Sequence, residues 1–390
     1  MIQKTEKRIL YLTDTASDAK SGAGSNCRMH RLALNDIASN LYYIYLQEIR
    51  KKSTESNEDI YYDQQNTLQK CFSIFSGYPS YLTKEKREGI LRRIEEYQPD
   101  TIYFDMSICG RLSKIIKKRF PKCRIVTFFH DIEYDLLHEQ IKGVEYWNLL
   151  RKLALMVQIK NEKYAAKYSD AYIVLNERDR NRFREVYNEE ATIVLPALNL
   201  CRELPEEQSD RITKKDEIFR ILFVGGYYGP NNEGILWFCE NVAKYLRSEC
   251  RIEIVGKGME KLRETIGNLK LRNVDVIGTV DSLDDYYLKA DVVIGPIFSG
   301  GGMKTKTGEA FSYGKRFVGT TESLLGYVDN APSNFLNKYI YVCETKEDFI
   351  NTINNLSGAD NKKATYIEIL GWFREHYSIE AARDIYLKVL

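Results

Sequence analysis

The sequence has almost no net charge, no paired cysteines and no strong basic cluster over the whole chain. Its 57 basic and 55 acidic residues leave a formal charge of +2, whereas a nucleic-acid-binding domain usually has a large basic excess. We therefore expect no nucleic-acid partner. The eight cysteines contain no C-x-x-C pair, which is typical neither of a disulfide framework nor of a zinc finger and favours the cytoplasm.

Long apolar runs are also missing. The uncharged run 292–303 is interrupted by four glycines and a proline, whereas a membrane-spanning helix needs roughly 18 apolar residues. Near the N-terminus the apolar run 9–12 is too short for the core of a signal peptide. These absences predict a cytoplasmic protein that touches a membrane only at its surface.

The chain does contain two series of short apolar segments separated by helical patterns. Such alternation is typical of a parallel sheet covered by helices on both faces. The segments predicted as strands are 8–13, 41–46, 101–104, 124–129, 171–175 and 192–195 in the first series, and 221–224, 252–255, 274–277, 291–294 and 316–319 in the second. The polar stretch 196–220 between the two series is interpreted as a linker.

The predicted fold class is therefore α/β, with two doubly wound, Rossmann-like domains that face a cleft. A chain of 390 residues exceeds what one hydrophobic core usually organises, so we expect domains over 1–200 and 201–370. Apolar residues at helical spacing predict a C-terminal helix, with Gly371 as its break, and residues 371–390 are expected to cross back to the first domain. Ligands of such sheets bind beyond the carboxyl ends of the strands.

A glycine-rich turn between a strand and a helix is the most informative segment. Gly300, Gly301 and Gly302 follow the predicted strand 291–294 and precede a predicted helix over 305–313. Their backbone N–H groups can approach an anion without obstruction by side chains. The turn therefore predicts a phosphate-binding loop; a flexible loop without a ligand is the alternative.

Charged residues around the start of that helix support the same prediction. Lys304 and Lys306 lie where a cation opposes the helix dipole, and a bound diphosphate would explain their presence. Glu309, one turn further on, can accept hydrogen bonds from a ribose diol. Solvated lysines and a surface glutamate are the alternative.

The segment resembles the donor-nucleotide segment of GT-B glycosyltransferases, in particular the family 4 group. In that group a strand ending in Pro leads to a glycine-rich turn, then to K-x-x-E-A and to G-K/R-x-V. The matching residues here are Pro296, Gly300, Gly301, Gly302, Lys306, Glu309, Ala310, Gly314 and Val318.

Three further segments resemble, in order, the first three strands and turns of that family's donor domain: 223–231, 254–258 and 276–280. Four motifs in the expected order are more specific than any one of them. The resemblance implies that the donor nucleotide and its phosphates are bound by Gly225, Gly226, Asn231, Gly256, Gly278, Val280, Gly300, Gly301, Gly302, Met303, Lys304, Lys306 and Glu309.

The first domain resembles the family less closely. The segment 128–133 is similar to its H-x-x-E motif, and 174–179 to its strand followed by S/N-E-x-D. The resemblance implies that His130 lies beside the transferred sugar and diphosphate and that His130 and Lys306 are catalytic; a core or capping histidine is the alternative for His130. Glu133 is expected on the acceptor side.

The N-terminal turn with Gly22 and Gly24 is expected to face the cleft near the donor phosphate and acceptor. The same turn resembles a dinucleotide-binding fingerprint, but Cys27 occupies its third glycine position. A nicotinamide enzyme would leave the motifs of the second domain unexplained.

One departure from the family pattern concerns the donor sugar. The common pattern has a glutamate eight residues before Glu309, and that position is Gly301 here. We expect backbone N–H groups of the glycine turn to hold the sugar instead, with Lys304 and Lys306 supplying positive charge. The identity of the sugar stays open.

A basic segment over 111–124 has apolar residues on one helical face and lysines largely elsewhere. Such a helix can lie against an anionic membrane surface, although the solvated face of an ordinary sheet-flanking helix has the same pattern. We therefore expect a cytoplasmic protein with peripheral contact at the inner face of a membrane.

The resemblance implies a glycosyltransferase that moves a sugar from a nucleoside diphosphate, such as UDP, to a glycan or lipid-linked acceptor, with retention, in surface polysaccharide biosynthesis. No metal cofactor is expected, because the chain has no D-x-D pair and basic groups can replace the cation. Two alternatives stay open: a nucleotide-sugar 2-epimerase, and a catalytically silent partner subunit, which the missing first glutamate favours.

Overall fold

The computed structural model describes residues 4–15, 22–48, 58–62, 67–201, 218–358 and 362–390. They form two compact units. Unit 1 comprises Met1–Pro196 and Ala382–Leu390, and unit 2 comprises Ala197–Ala381. The domain extents 1–200, 201–370 and 371–390 stay predictions.

Unit 1 is built on a seven-stranded parallel sheet with the strand order β3-β2-β1-β4-β5-β6-β7. Its strands are β1 (Thr5–Thr13), β2 (Ala38–Glu48), β3 (Glu58–Tyr62), β4 (Thr101–Phe104), β5 (Arg124–Phe129), β6 (Ala171–Val174) and β7 (Ile193–Val194). Consecutive residues of β4 are all buried, as expected for a central strand covered on both faces.

Helices flank this sheet. They are α1 (Gly22–Ile37), α2 (Thr67–Phe75), α3 (Lys84–Tyr97), α4 (Gly110–Arg119), α5 (Glu133–Gly143), α6 (Leu149–Tyr168) and α7 (Glu177–Tyr187). At the start of α7, Asn176 accepts a hydrogen bond from the backbone of Asp179, which satisfies an N–H group that would otherwise lack a partner in the helix.

Unit 2 contains a six-stranded parallel sheet with the strand order β10-β9-β8-β11-β12-β13. Its strands are β8 (Phe219–Val224), β9 (Cys250–Val255), β10 (Val274–Gly278), β11 (Val292–Gly295), β12 (Arg316–Gly319) and β13 (Ile340–Val342). Its helices are α8 (Gly229–Asn241), α9 (Arg263–Gly267), α10 (Asp284–Lys289), α11 (Thr305–Ser312), α12 (Lys346–Ser357) and α13 (Lys362–Tyr377), before α14 (Ile379–Val389) leads back to unit 1. Two parallel sheets with flanking helices confirm the α/β fold class.

Some helices begin earlier than the sequence predicts. The sequence pattern predicts a helix from about Asn26 to Asn40, but α1 begins at Gly22, so the Gly22-x-Gly24 segment forms its first turn. The pattern also predicts a helix from Glu233 to Leu246, but α8 begins at Gly229. Pro230 lies in its first turn, where the backbone N–H has no partner within the helix and its absence is tolerated.

The predicted helix break at Gly371 is also wrong. Gly371 lies inside α13, at a position where an added side-chain carbon would meet nothing within 4 Å, and the helix continues through it. The break occurs at Ser378, whose hydroxyl accepts a hydrogen bond from the N–H of Ala381 at 3.1 Å and so caps α14.

The C-terminal residues complete the core of unit 1. The hydroxyl of Tyr386 lies 2.8 Å from Nδ1 of His30 and 3.1 Å from the hydroxyl of Tyr103. Lys7 donates a hydrogen bond to the carbonyl of Leu390 at 2.8 Å. Residues 382–390 thus pack with the first part of the chain in unit 1.

Candidate functional site

Glycine turns follow three neighbouring strands of unit 2, at the sheet edge where such folds bind ligands. Gly256, after β9, has a φ of +139°, and a side-chain carbon there would lie 2.0 Å from the carbonyl oxygen of Gly225, after β8. Gly278, at the end of β10, has a φ of +85°. Glycine alone allows these turns to pack so closely. Gly226 is exposed and Val280 is half-buried at the same edge.

The glycine loop lies between β11 and α11. Gly300 and Gly302 have φ values of +125° and +58°, a conformation that side chains disfavour. Gly300 and Gly301 are exposed, whereas Gly302 and Met303 are buried. The sulfur of Met303 accepts a hydrogen bond from the N–H of Ala197 at 3.5 Å, so this side chain is engaged in the interior of unit 2.

Lys304 is held by the protein itself. Its Nζ lies 2.7 Å from Oε1 of Glu322 and donates hydrogen bonds to the carbonyls of Gly301 and Gly302 at 3.1 and 3.0 Å. The ammonium therefore ties the glycine loop to the segment after β12, and the carboxylate balances its charge. Phosphate binding by Lys304 stays a prediction.

Lys306 and Asn231, predicted from separate motifs, meet in the structure. Nζ of Lys306 donates to Oδ1 of Asn231, and Nδ2 of Asn231 donates to the carbonyl of Gly226 at 2.8 Å. Burial, together with the charge of Lys304, lowers the pKa of Lys306 to about 7. Lys306 thus stands at the sheet edge as a cation that gives up its proton readily.

Glu309 projects from α11, one turn after the glycine loop. Its Oε2 accepts a hydrogen bond from the hydroxyl of Tyr287 at 3.1 Å, and the side chain is half-buried. The ring of Tyr287 stacks on that of Tyr313 with centroids 4.5 Å apart. This packing fixes the position of the hydroxyl that contacts the carboxylate.

In unit 1, His130 follows β5 and meets an acid from β4. Its Nε2 lies 2.9 Å from Oδ1 of Asp105 and 3.8 Å from Sγ of Cys27. Asp105 also accepts a hydrogen bond from the hydroxyl of Thr13 at 3.2 Å. The histidine is partly exposed, whereas the carboxylate and the thiol are buried.

The charges and burial of Cys27, Asp105 and His130 together favour the protonated form of the His130 imidazole. Burial alone would lower the pKa of His130, but the acidic groups of Cys27 and Asp105 outweigh burial and raise it. Burial and the charge of Asp105 raise the pKa of the Cys27 thiol, whereas the contact with His130 lowers it. Burial opposes the charge of Asp105, but His130 holds the pKa of Asp105 below its ordinary value.

Glu133 begins α5, three residues after His130. Burial and the nearby carboxyl group of Glu162 raise the pKa of Glu133 to about 7. Glu162 is itself fully buried and accepts hydrogen bonds from the N–H of Glu133 at 3.0 Å and from Ser107 at 3.2 Å. Glu133 is therefore partly protonated near neutral pH.

The N-terminal glycines contribute backbone only. Gly22 and Gly24 lie in the first turn of α1, and Gly24 is buried. The residues before them, 16–21, lie outside the described part of the chain. A ligand-binding role for these glycines stays a prediction.

The basic segment 111–124 is ordinary sheet-covering structure. The apolar residues Leu112 and Ile116 of α4 are buried in the core of unit 1, so they are not available to lipid. Lys117 pairs with Asp170 at 2.6 Å. No helix within the described ranges is both long and apolar enough to span a bilayer.

The combination of Cys27, Asp105 and His130 also contains ligand types that transition metals accept. Within the described ranges, one ligand atom from each lies within 4.8 Å of the others. The close pairing of Asp105 with His130 accounts for the same arrangement without an ion.

Comparison with known families gives a match within unit 2. The family model described as "Glycosyl transferases group 1" matches residues 218–358. Unit 2 carries a group 1 glycosyltransferase domain. The prediction that the chain is a glycosyltransferase is thereby confirmed, and the glycine loop, Lys306 and Glu309 all lie in the matched part of this glycosyltransferase domain.

Solved structures show the same fold over almost the whole glycosyltransferase. HepE from Anabaena in complex with UDP is 14% identical, with a TM-score of 0.69 and 98% of each chain covered. The lipopolysaccharide outer core galactosyltransferase WaaB is 14% identical, with a TM-score of 0.66, 98% of this chain and 100% of WaaB covered. WaaG, a glycosyltransferase involved in lipopolysaccharide biosynthesis, is 13% identical, with a TM-score of 0.65, 96% of this chain and 99% of WaaG covered. The GT-B fold is thus confirmed. A search by sequence finds no match among curated proteins.

Three polar residues of the glycosyltransferase were not predicted from its sequence. Asp105 directly follows the strand 101–104, so its position after a strand was a signal that could have found it. Glu322 follows β12 by three residues, and Tyr287 lies on α10; neither has a local pattern that indicates its partner. They enter the site only through contacts between segments distant in the sequence.

Proposed function

We propose that the protein transfers a sugar from a nucleoside diphosphate to a hydroxyl group of a glycan or lipid-linked acceptor. The observation that carries the proposal is the placement of Lys306, Asn231 and Glu309 beside an exposed glycine loop at the carboxyl edge of the unit 2 sheet. Cations, amides and carboxylates of this kind recognise diphosphate and ribose.

The chemical step requires stabilisation of a leaving group. The bond between the anomeric carbon and the diphosphate oxygen breaks, the acceptor oxygen bonds to that carbon, and the acceptor proton passes to the departing diphosphate. Negative charge therefore grows on the diphosphate. Positioned N–H groups of Gly300 to Gly302 and the ammonium of Lys306 stabilise such charge.

Glu309 has a binding role in this proposal. Its carboxylate accepts hydrogen bonds from the ribose hydroxyls, while Tyr287 keeps it oriented from the other side. A carboxylate hydrogen bond to a neutral donor is stronger than one between neutral groups. Glu309 should therefore contribute chiefly to nucleotide affinity.

His130 acts as a hydrogen-bond donor in this proposal. Because the contact with Asp105 favours the protonated imidazole, His130 is better suited to donate a hydrogen bond than to take a proton from the acceptor. His130 would donate hydrogen bonds to a substrate oxygen. The carboxylate of Glu133 would accept hydrogen bonds from hydroxyl groups of the acceptor. Cys27 has no chemical role in the step.

The finer parts of the proposal rest on likeness to other proteins. The solved HepE structures contain UDP, UDP with glucose, or UDP-glucose, and the names of WaaB and WaaG refer to lipopolysaccharide. These support UDP as the nucleotide and a surface polysaccharide as the product. Retention, independence of metal ions and a peripheral location at the inner membrane face belong to the same proposal.

Nucleotide binding tests the proposal directly. Glu309→Ala should weaken binding of UDP roughly ten- to hundred-fold, as for lost hydrogen bonds to a charged group, when measured by titration calorimetry. Glu264→Ala, an exposed glutamate of α9, is the matched control and should bind UDP normally. Equal affinities in the two variants would show that the site is misplaced.

Transfer is then measured with a panel of sugar nucleotides and acceptors, before and after treatment with a chelator. We expect activity to survive the chelator. Isomerised donor in the absence of acceptor would instead favour the 2-epimerase, and nucleotide binding without transfer to any acceptor would favour the silent partner subunit.

A further inference from the structure

Three side chains of different chemistry meet at the carboxyl edge of the unit 1 sheet. Cys27 lies on α1, Asp105 directly follows β4, and His130 directly follows β5. Strands β4 and β5 are neighbours in the sheet, so the fold brings their ends together. We call these three residues the Cys-Asp-His cluster. A thiol, a carboxylate and an imidazole can each bind a metal ion.

The distances within the Cys-Asp-His cluster are close to those of a tetrahedral metal site. Nε2 of His130 lies 3.8 Å from Sγ of Cys27 and 2.9 Å from Oδ1 of Asp105, and the three ligand atoms all lie within 4.8 Å of one another. Zinc bonds of about 2.0 to 2.3 Å at tetrahedral angles place neighbouring ligand atoms about 3.3 to 3.5 Å apart. Both measured distances differ from these values by a few tenths of an ångström, so small side-chain movements would admit an ion.

Neighbouring residues orient two members of the cluster. The hydroxyl of Thr13 donates a hydrogen bond to Oδ2 of Asp105 at 3.2 Å, while Oδ1 of the same carboxylate faces His130. The ring of Phe128 stacks on that of His130 with centroids 4.1 Å apart. Contacts of this kind, one layer outside the ligands, hold metal-binding side chains in position and increase affinity.

Burial and charge in the cluster favour a divalent cation. Cys27 and Asp105 are buried, whereas the side chain of His130 is 24% exposed, so an ion can enter past the histidine. On binding, the thiol and the imidazole release the protons of their ligating atoms to solvent. The thiolate and the carboxylate then carry two negative charges, which a divalent cation balances in the buried site.

The ligand types indicate which ions fit. Thiolate and imidazole together suit zinc and similar transition metals, whereas magnesium and calcium prefer oxygen ligands. Three protein ligands leave the fourth position of a tetrahedral zinc site to water. Among the residues that the structure describes, no second group of three such side chains lies this close together.

We propose that Cys27, Asp105 and His130 form a binding site for zinc or a similar transition-metal ion. The contact between Asp105 and His130 uses the same atoms without an ion, so the ion competes with that contact. Ligation removes the proton of Nε2 and the positive charge of the imidazole. The bound ion should therefore inhibit sugar transfer and is not a cofactor of it. This inhibition, unlike the binding, rests on the proposed function.

Cobalt binding tests the site without a measurement of activity. The probe is Co²⁺ added to reduced, chelator-treated protein, because a thiolate ligand gives a charge-transfer band in the near ultraviolet and tetrahedral geometry gives intense visible bands. We expect both in the parent, and their loss when Zn²⁺ displaces the cobalt. Cys27→Ser should remove the charge-transfer band and weaken zinc binding roughly a hundred-fold, as expected for the loss of one of a few ligands. A parent without the charge-transfer band would overturn the proposal.

The more exposed cysteines provide the matched control. Cys71 and Cys201 are half-buried free thiols, whereas the other cysteines are buried. Cys71→Ser/Cys201→Ser should keep the cobalt bands and the zinc affinity of the parent; bands that disappear in this variant and persist in Cys27→Ser would contradict the assignment. Asp105→Asn should weaken zinc binding and keep the charge-transfer band. Thermal melting in chelator checks that each variant is folded.

Inhibition by zinc tests the consequence for transfer, with each protein compared with its own rate in chelator. Zn²⁺ should lower kcat/KM of the parent and of Cys71→Ser/Cys201→Ser and have little effect on Cys27→Ser, whereas Mg²⁺ should inhibit none of them. Equal inhibition of the parent and Cys27→Ser would contradict inhibition through this site. Cobalt bands that depend on Cys27, in a protein that transfers no sugar, would contradict the proposed function and support the metal site.

Discussion

At the scale of single residues, Lys306 shows how the surroundings of a side chain set its chemistry. The ammonium is anchored by Asn231 and lies 5.5 Å from the centroid of the Phe223 ring. Burial and the neighbouring Lys304 bring its pKa close to physiological pH. A bound diphosphate would reverse this by supplying negative charge.

The pH dependence of turnover should report this residue. The leaving diphosphate needs the charged form of Lys306, which is present below its pKa, so kcat/KM should fall as the pH rises above about 7. Lys306→Arg should extend activity to higher pH, because arginine keeps its charge. The measurement is kcat/KM from pH 6 to 9 for both proteins; identical alkaline limbs would show that another group titrates.

At the scale of elements, the loops after β11 and β12 are bound to one another. Lys304 pairs with Glu322, and the hydroxyl of Thr307 donates to the carbonyl of Ser323 at 2.7 Å. These contacts hold the start of α11 and the glycine loop in place. Glu322 thus supports the glycine loop through Lys304, which also contacts the carbonyl of Gly301. Gly301 stands where the family pattern has a glutamate.

We expect Glu322→Gln and Lys304→Met each to lower kcat/KM roughly ten-fold by loosening the loop. The double variant should be no worse than either single variant, because the two residues act through one contact. Glu347→Gln, at an exposed position of α12, is the control. Additive losses, or a far greater loss in Lys304→Met, would show that Lys304 acts on the diphosphate itself.

Local patterns predicted the elements that carry their own signal. Strands such as 316–319 are continuous apolar runs, and β12 has those bounds. The three-residue β13 and the mixed sequence of β3 have no such signal and were not predicted. Helix α12 was also not predicted, although Thr345 and Asp348 form a capping box that was visible in the sequence.

The site divides in the same way. Glycine turns and the motif around Glu309 are local and could be predicted. The partners that fix them, Glu322 and Tyr287, come from segments many residues away, because the fold brings strand ends together that are distant along the chain. A single sequence does not contain these contacts.

At the scale of the whole molecule, buried ionisable groups in unit 1 oppose one another as the pH changes. Burial lowers the pKa of His30 to about 3, and burial raises those of Glu133 and Glu162 to about 7. The histidine makes folding less favourable on acidification. The glutamates make folding more favourable on acidification, because the folded state binds their protons at a higher pH than the unfolded chain does.

His30→Gln should isolate the contribution of the histidine. In the unfolded chain His30 takes up a proton below about pH 6.5, while the folded form resists it, so stability falls by about 1.4 kcal/mol for each pH unit below about 6. Between pH 7 and pH 5 the melting temperature should therefore fall less in His30→Gln than in the parent. His376→Gln in unit 2 is the control; parallel curves for the parent and His30→Gln would contradict the assignment.

The return of residues 382–390 to unit 1 has a consequence for synthesis on the ribosome. Unit 2 is a continuous stretch and can fold as soon as it emerges. Unit 1 cannot complete its core until the segment after Ala381 has left the exit tunnel. Before then, Tyr103 and His30 do not have their contact with Tyr386. Expressing the first 196 residues alone should therefore give an incomplete product, and a circular permutant that places 382–390 before Thr5 should restore it.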